Sequence, residues 1–467
     1  MASESRGFHR ASAIACALAL TLTACTPLDQ PRQQAEQRAR EQIQERLGLA
    51  YPPPWPEAAA ADLSEEAARL VDGGLDEDSA VRVALLENRR LRADFEHLGV
   101  AAYDRVRAGL LANPVLGATV LFYNPGTEIE LGLSQPLVDL FQRSMRQDLA
   151  EAALEEARLG VVDGLVHVVY GVRRALLTQV AQEERRRLAE AALVAAREAE
   201  ALSTELHSAG NITDLEWSLR VRARAGAELV VLAEAQDALE QHEHLIALLG
   251  LAQPFEGPVR IGAGFDELPG AASQDETERA LARNLALAKL DTRIAAAQRR
   301  AKLPPSADVL SGAEVGAAAA KDDGESSFGL GPSVSLPLPI FDTGRAGSAA
   351  AQAQWRSLVA EREAERRELA AVLRKLSARR AALVAQATVA RDELLRSSRR
   401  VMLQTLQQYN AMQIGAFHVL EQREAEIHDE RKALDLWQAA WIAHWDWEQC
   451  VAGAAPATNR HMETLAR

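Results

Sequence analysis

The chain has 467 residues, only 4% of them aromatic, and a net charge of −14, with Ala, Leu, Glu and Arg its dominant residues. That composition describes long helices packed through small side chains, not two or three ordinary globular domains. An acidic chain also argues against nucleic acid as a partner, because phosphate binding draws on an excess of Lys and Arg.

Arg6 and Arg10 precede an apolar stretch at residues 11–24. The stretch has the length of a signal-peptide core and is too short to span a bilayer as a helix. It ends in Leu22-Thr23-Ala24-Cys25, which resembles a bacterial lipobox, in which the Cys becomes the first mature residue and carries lipid. An ordinary secretory signal with a chance Cys is the alternative. In lipoproteins of that kind, the absence of Asp after the Cys favours the outer membrane, and Thr26 stands there. Residues 1–24 are assigned to a signal peptide and 25–75 to a lipid-anchored tether. Three consecutive prolines at 52–54 favour an extended, semi-rigid segment within that tether. Cys16 falls in the removed part and Cys25 is acylated, so Cys450 stands alone and no intrachain disulfide forms. No later run reaches about 18 apolar residues, so any membrane crossing is made by a barrel.

Beyond the tether the chain repeats itself. Residues 83–88 match 279–284, residues 133–139 match 336–342, and residues 210–215 match 415–420, in the same order and with slowly drifting offsets. The expected organisation is a first repeat at 76–252, a linker at 253–275, a second repeat at 276–450 and a tail at 451–467. Each copy reads helix, two strands, long helix, tip, shorter helix. The first helix is predicted over 77–112, stopping at Asn113-Pro114. Its counterpart is predicted over 276–303, stopping at Pro304-Pro305.

The periodicity then changes from helical to alternating. Leu116, Ala118, Val120 and Phe122 share one face, and Asn124-Pro125-Gly126 marks a turn. On the return, Ile129, Leu131 and Leu133 face one way and Glu128, Glu130, Gly132 and Ser134 the other. In the second copy Phe328, Leu330, Val334, Leu336 and Leu338 alternate with Gly and Ser. Runs of about 9–11 residues suit tilted membrane strands with apolar residues towards lipid and polar residues, Glu128 and Glu130 among them, towards a lumen. A soluble hairpin has the same alternation, but it is marginal alone and needs cover. Two strands per copy give four per chain, too few to close a membrane barrel, so other chains must complete the sheet. The tracts 142–207 and 346–414 lack Pro and predict helices of about 100 Å. Gly160, Gly164 and Gly171 in the first are expected where helices approach closely.

These residues resemble the TolC-like outer-membrane efflux family over about residues 75–450. The carriers are the run 336–345 (Leu-Pro-Leu-Pro-Ile-Phe-Asp-Thr-Gly-Arg), Asn113-Pro114 with its equivalent Leu303-Pro304, and the motif 210–215. The resemblance implies a homotrimer with a twelve-stranded β-barrel in the outer membrane and a long α-helical periplasmic tunnel. It also implies docking by the helix tips onto a periplasmic adaptor (membrane fusion) protein coupled to an inner-membrane pump. The chain would be a passive duct and not an enzyme, with no cofactor beyond the lipid on Cys25. The tips fall near 208–215 and 413–420. Gly210 and Gly415 suit left-handed turns, and Thr213 with Glu216 fits a capping box. Asp214 fits two readings, an acid at a helix start and one member of a three-carboxylate ring narrowing the pore. Where the family usually places Gly three residues after Tyr409, this chain has Met412. The run 409–415 is similar to a subset associated with heavy-metal or copper efflux.

Other candidate chemistry is weaker. His242 and His244 are two apart and do not share a helix face, and the zinc-protease spacing is absent. Gly262 and Gly264 lack the strand–helix context of a dinucleotide loop. Trp437, Trp441 and Trp445 at four-residue spacing fit a packed helix face or an interfacial belt. A periplasmic adaptor and a pore-less coiled-coil lipoprotein are the alternative classes; strands inside both repeats disfavour each.

Overall fold

The computed structural model describes residues 29–49, 64–123, 126–262, 264–270, 274–305, 312–321 and 328–456. Cys25, the triple proline and the turn at Asn124-Pro125 lie outside these residues. The chain divides into two bodies, one containing residues 1–41, 95–159 and 291–359 and the other the remainder.

In chain order the helices before the first strands are α1 (Gln30–Leu47), α2 (Glu65–Asp72), α3 (Glu77–Glu87) and α4 (Arg89–Ala108). Strands β1 (Val115–Tyr123) and β2 (Gly126–Pro136) follow, then α5 (Val138–Ser208) and α6 (Asp214–Leu249). The second copy gives α7 (Gln274–Ala282), α8 (Leu285–Ala301), β3 (Glu314–Lys321) and β4 (Gly329–Ser335). Next come α9 (Arg345–Val389), a π-helical turn (Ala390–Leu394), α10 (Leu395–Asn410) and α11 (Ala416–Ala452). The predicted order of elements in each copy is present, and among the described residues no helix is long and apolar enough to cross a membrane.

The first body holds one antiparallel sheet in the order β1-β2-β3-β4. Pairing of β2 with β3, from Ile129↔Lys321 to Pro136↔Glu314, joins the two copies. The register puts the starts of β1 and β3 and the ends of β2 and β4 at one end of the sheet. All four helices that flank the strands therefore meet the sheet at that end. In the same body, Arg299 pairs with Asp148 at 2.7 Å and Arg293 pairs with Glu156.

The second body is helical. Trp447 is fully buried among Leu287, Leu369, Leu373, Leu376 and Cys450, and Trp437 packs with Leu177, Leu188, Ile427 and Leu434. The duplication is visible here in one repeated joint. The first-copy helix breaks at Asn88, whose side-chain oxygen accepts from the N–H groups of Arg90 and Leu91. Its amide donates 2.9 Å to the Leu248 carbonyl. Asn284 breaks the second-copy helix in the same way, accepting from the Leu287 N–H and donating to the Gly453 carbonyl. Gly250 (φ +80°) and Gly453 (φ +109°) cap the facing helices α6 and α11 in left-handed geometry. A Cβ on Gly250 would stand 2.6 Å from the Glu87 carbonyl.

Several expectations need correction. The helices predicted as 77–112 and 276–303 are each two, because an Asn side chain competes with the backbone for N–H groups. They also end at Ala108 and Ala301, short of the prolines. The span assigned to a tether contains α1, whose Ala39 and Ile43 are fully buried. β3 and β4 have 8 and 7 residues, below the expected length. Of the three glycines in α5, only Gly164 is tight, with Asp94 against it; Gly160 faces open space. Residues 451–456, assigned to a tail, are largely buried. The inter-repeat span is held by hydrogen bonds from both sides of the chain. Trp437 and Trp441 donate to the Glu267 carbonyl at 3.1 Å, and Leu75 forms a parallel bridge with Val259. The three tryptophans thus pack against neighbours.

The His444 ring lies tilted against Trp445, with centroids 5.0 Å apart. Burial chiefly, with help from Arg380 and Arg173 and against Glu276, lowers its pKa from 6.5 to about 4. Between those values the unfolded chain binds a proton that the folded chain does not, so stability falls as pH drops from 6.5 towards 4. Glu448, Glu77 and Asp446 are shifted up by burial and act in the opposite sense. His444→Gln is therefore expected to remove a loss of about 0.5–1 kcal/mol per pH unit across that window, allowing for partial exposure. Parallel thermal melts of both proteins from pH 7 to 4 would show it as a narrowing difference. Gly250→Ala and Gly453→Ala should each cost at least about 1–2 kcal/mol, since left-handed strain adds to a collision with a carbonyl. Denaturant midpoints measure this; unchanged midpoints would refute the joint.

Candidate functional site: a two-faced sheet and two helix tips

The sheet has unlike faces. Direct pairing puts Leu116 opposite Leu133, Ala118 opposite Leu131 and Val120 opposite Ile129. The same face continues through Ala317, Ala319 and Val315 to Pro332, Leu330 and Val334. Within the single chain it lies bare, with Phe122 and Leu330 each 82% exposed. The reverse face is mostly small or polar, with Val115 and Leu121 of β1 as its large apolar residues: Thr119 pairs with Glu130, Gly117 with Gly132, Glu130 with Ala320, and Gly316 with both Ser134 and Ser333. Glu128 and Glu130 both lie on this reverse face, as the alternation predicts. A Cβ on Gly316 would collide with the Leu133 carbonyl, so glycine permits the close β2–β3 approach at the joint between copies. β1 has 9 residues. At about 3.3 Å per residue and a tilt of about 40° it rises about 23 Å, close to the apolar band of about 25 Å in membrane barrels. β1 and β4 are the sheet's edges.

The tips belong to the second body. α5 ends at Ser208, and Gly210 takes φ +74°. The Asn211 N–H reaches back to the Leu206 carbonyl at 2.8 Å. Thr213 caps α6 through a full capping box with Glu216. Asp214 follows as the first helical residue, and its Oδ1 lies 2.6 Å from His207 Nε2. The His207 ring stacks on Trp217, 5.2 Å between centroids.

At the second tip the Gln413 N–H reaches back to the Gln408 carbonyl at 2.9 Å, the same closure. Here the left-handed residue is Met412, φ +57° and 94% exposed. Gly415 has φ −83° and ψ 164°, an extended helix start without a side-chain cap. The expectation of a left-handed Gly415 is thus corrected: Met412 is the counterpart of Gly210, and Gly415 that of Thr213. The tip displaced by three residues had suggested the wrong pairing, because a glycine drew the alignment.

One feature was not anticipated. Arg220 on α6 donates 2.8 Å to Glu421 on α11 and lies 4.9 Å over the Phe417 ring. It ties the two post-tip helices together, and no motif in the sequence signals it. The predicted residues do not converge: Glu128 and Glu130 stand on the sheet, while Gly210, Thr213, Asp214 and Gly415 stand at the tips. No group of His, Cys, Asp or Glu suited to a metal occurs among the described residues.

Two copies of a strand pair followed by a long helical hairpin, with the four strands in one antiparallel sheet, recur in solved structures of bacterial membrane proteins. The chain matches a membrane protein from Pseudomonas aeruginosa with TM-score 0.66 at 17% identity, over 86% of this chain and 99% of that one. It matches the Campylobacter jejuni CmeC outer-membrane channel with TM-score 0.61 at 13% identity, over 89% and 93%. It matches the open state of the Neisseria gonorrhoeae MtrE outer-membrane channel with TM-score 0.59 at 18% identity, over 87% and 98%. No family model and no curated protein matches the sequence. The chain therefore has the fold of these channels.

Met412→Gly is expected to stabilise the second tip by about 0.5–1 kcal/mol, because a left-handed L-residue costs about 1–2 kcal/mol and glycine's entropy returns part of that. Gly210→Ala should destabilise the first tip by a similar amount. Rates of protease cleavage at each tip report both, and equal rates for Met412→Gly and the parent would contradict the strain.

Proposed function

We propose that the chain is a lipoprotein exit duct of the outer membrane, belonging to the TolC-like efflux family and completed by two further copies of itself. The observation that carries this reading is the sheet: four strands, a bare apolar face, a more polar reverse face that holds Glu128 and Glu130, and two open edges. In lipid an unpaired strand edge is intolerable, so β4 of one copy pairs with β1 of the next until the sheet closes. Three copies bring twelve strands, within the range of membrane barrels. Glu128 and Glu130 then line water, and Leu116, Phe122 and Leu330 meet lipid.

The lipid on Cys25 adds an anchor in the outer membrane. The helices extend into the periplasm, and the tips around Gly210 and Met412 meet a periplasmic adaptor coupled to an inner-membrane pump. That pump supplies the energy, and the duct conducts passively. Its cargo is a heavy metal such as copper, or a drug. Asp214 is held first as the helix-start acid beside His207; three copies would also place three such carboxylates in the assembly. Opening proceeds by small shifts between packed helices, with the Arg220–Glu421 tie among the contacts that must move.

The mature protein, purified in detergent, is expected to have the mass of three chains and to give stepwise conductance in a planar bilayer. Glu128→Gln with Glu130→Gln should lower its cation-over-anion permeability ratio by about two- to fivefold without loss of assembly, as removal of a lumen charge does. A stable monomer with no conductance would return the chain to the coiled-coil lipoprotein or adaptor class.

A further inference from the structure

The chain is strongly acidic, yet the segments that join helices to strands are basic when taken together, the excess lying in residues 100–114 and 296–305. Residues 100–114, 137–149, 296–305 and 336–348 hold eight Arg and Lys against four Asp. The register of the sheet gathers all four segments at one end, so the charge is concentrated in space and not only in sequence. Part of it is neutralised: Arg105 pairs with Glu151, and Arg299 with Asp148. Arg143, Lys302 and Arg345 are exposed, and the Arg107 side chain is 85% exposed with Asp104 3.8 Å away.

Between these cations and the strands lies a second feature. Leu110, Leu111 and Ile340 are exposed, and Phe341 is 99% exposed, outside any strand. In two of the four segments they fall between strand and cation, Leu110 and Leu111 between Arg107 and β1, and Ile340 and Phe341 between β4 and Arg345. The order along those segments is apolar strand, apolar fringe, then cation. A bilayer has the complementary order, hydrocarbon, then interface, then phosphate.

The geometry points to a phospholipid-binding collar: the cations at the helix ends, Arg107, Arg143, Lys302 and Arg345 foremost, engage the phosphate groups of anionic phospholipid at the membrane surface. This rests on the reading of the sheet as membrane-spanning. The collar goes beyond hydrophobic fit, because it selects headgroup charge and sets the depth at which the strands sit. Long Arg and Lys side chains let the fringe enter the interface while their charges stay among phosphates. Each cation near an anionic surface contributes about fivefold in affinity.

The test uses the full mature protein reconstituted in phosphatidylcholine vesicles with and without phosphatidylglycerol. Conductance is recorded, and the lipids retained after detergent extraction are counted by native mass spectrometry. The wild type is expected to retain phosphatidylglycerol over phosphatidylcholine by about fivefold or more. The quadruple variant R107Q/R143Q/K302Q/R345Q should conduct normally in phosphatidylcholine and lose that preference. K302E alone should lower it part-way, which guards against a quadruple variant that does not assemble. R399Q/R400Q, on α10 of the second body, should keep it. A conducting wild type with no preference, or a K302E protein and a quadruple variant that both keep it, overturns the collar. A wild type that neither inserts nor conducts in either vesicle overturns the duct reading itself, a result recognisably different from lost lipid selectivity.

Discussion

The antiparallel pairing of β2 with β3 turns two copies of one unit into a single sheet. It runs from Ile129↔Lys321 to Pro136↔Glu314, and Gly316 permits the approach because any side chain there would strike the Leu133 carbonyl. Everything in the first body follows from that register. A shift by one residue would move each apolar side chain to the opposite face. As formed, Leu131 and Leu133 lie level with Ala319 and Ala317, so the apolar face crosses both copies, with Gln135 and Lys321 at its two ends. The four helix ends, with their cations, collect at one end for the same reason.

The second body repeats a different joint twice. An Asn breaks a helix, and its amide reaches the C-terminal end of the long hairpin's return helix, where a left-handed Gly lets the backbones touch. Asn88 with Gly250 and Asn284 with Gly453 are equivalent positions in the two copies. The conservation of this geometry between copies that have diverged in sequence argues that it is structural. It also explains why residues just past the second repeat are buried: Gly453 and Ala454 complete a joint that Gly250 and Leu251 complete in the first.

The copies have diverged most at the tips. The first tip uses glycine for its left-handed residue, Thr213 and Glu216 for a reciprocal cap, and Trp217 to cover His207. The second places an exposed Met412 in the strained position and starts its helix at an uncapped Gly415. A duct built from three chains would present two chemically different tips in alternation. Arg220, bonded to Glu421 and stacked over Phe417, holds the two post-tip helices together despite that difference.

Much of this was legible in the sequence because periodicity and proline-free length are local properties. The alternation at residues 116–122 and 129–134 gave the strands and their faces, Glu128 and Glu130 included. The tracts without proline gave α5 and most of α9 and α10, and the duplicated order gave the two copies. What the sequence could not supply depends on groups distant along the chain. The break at Asn88 is decided by a carbonyl 160 residues away, so propensity alone extended the helix to the nearest proline. Met412 lies in left-handed geometry because the turn closes from Gln413 to Gln408, whereas a glycine three residues later seemed the natural choice. By itself the sequence determined the order of helices and strands in each copy and the faces of β1 and β2, since side-chain period and proline placement govern those. Only the tertiary structure decided which strands pair, which faces align and where the cations gather, because register is a choice among non-local hydrogen bonds.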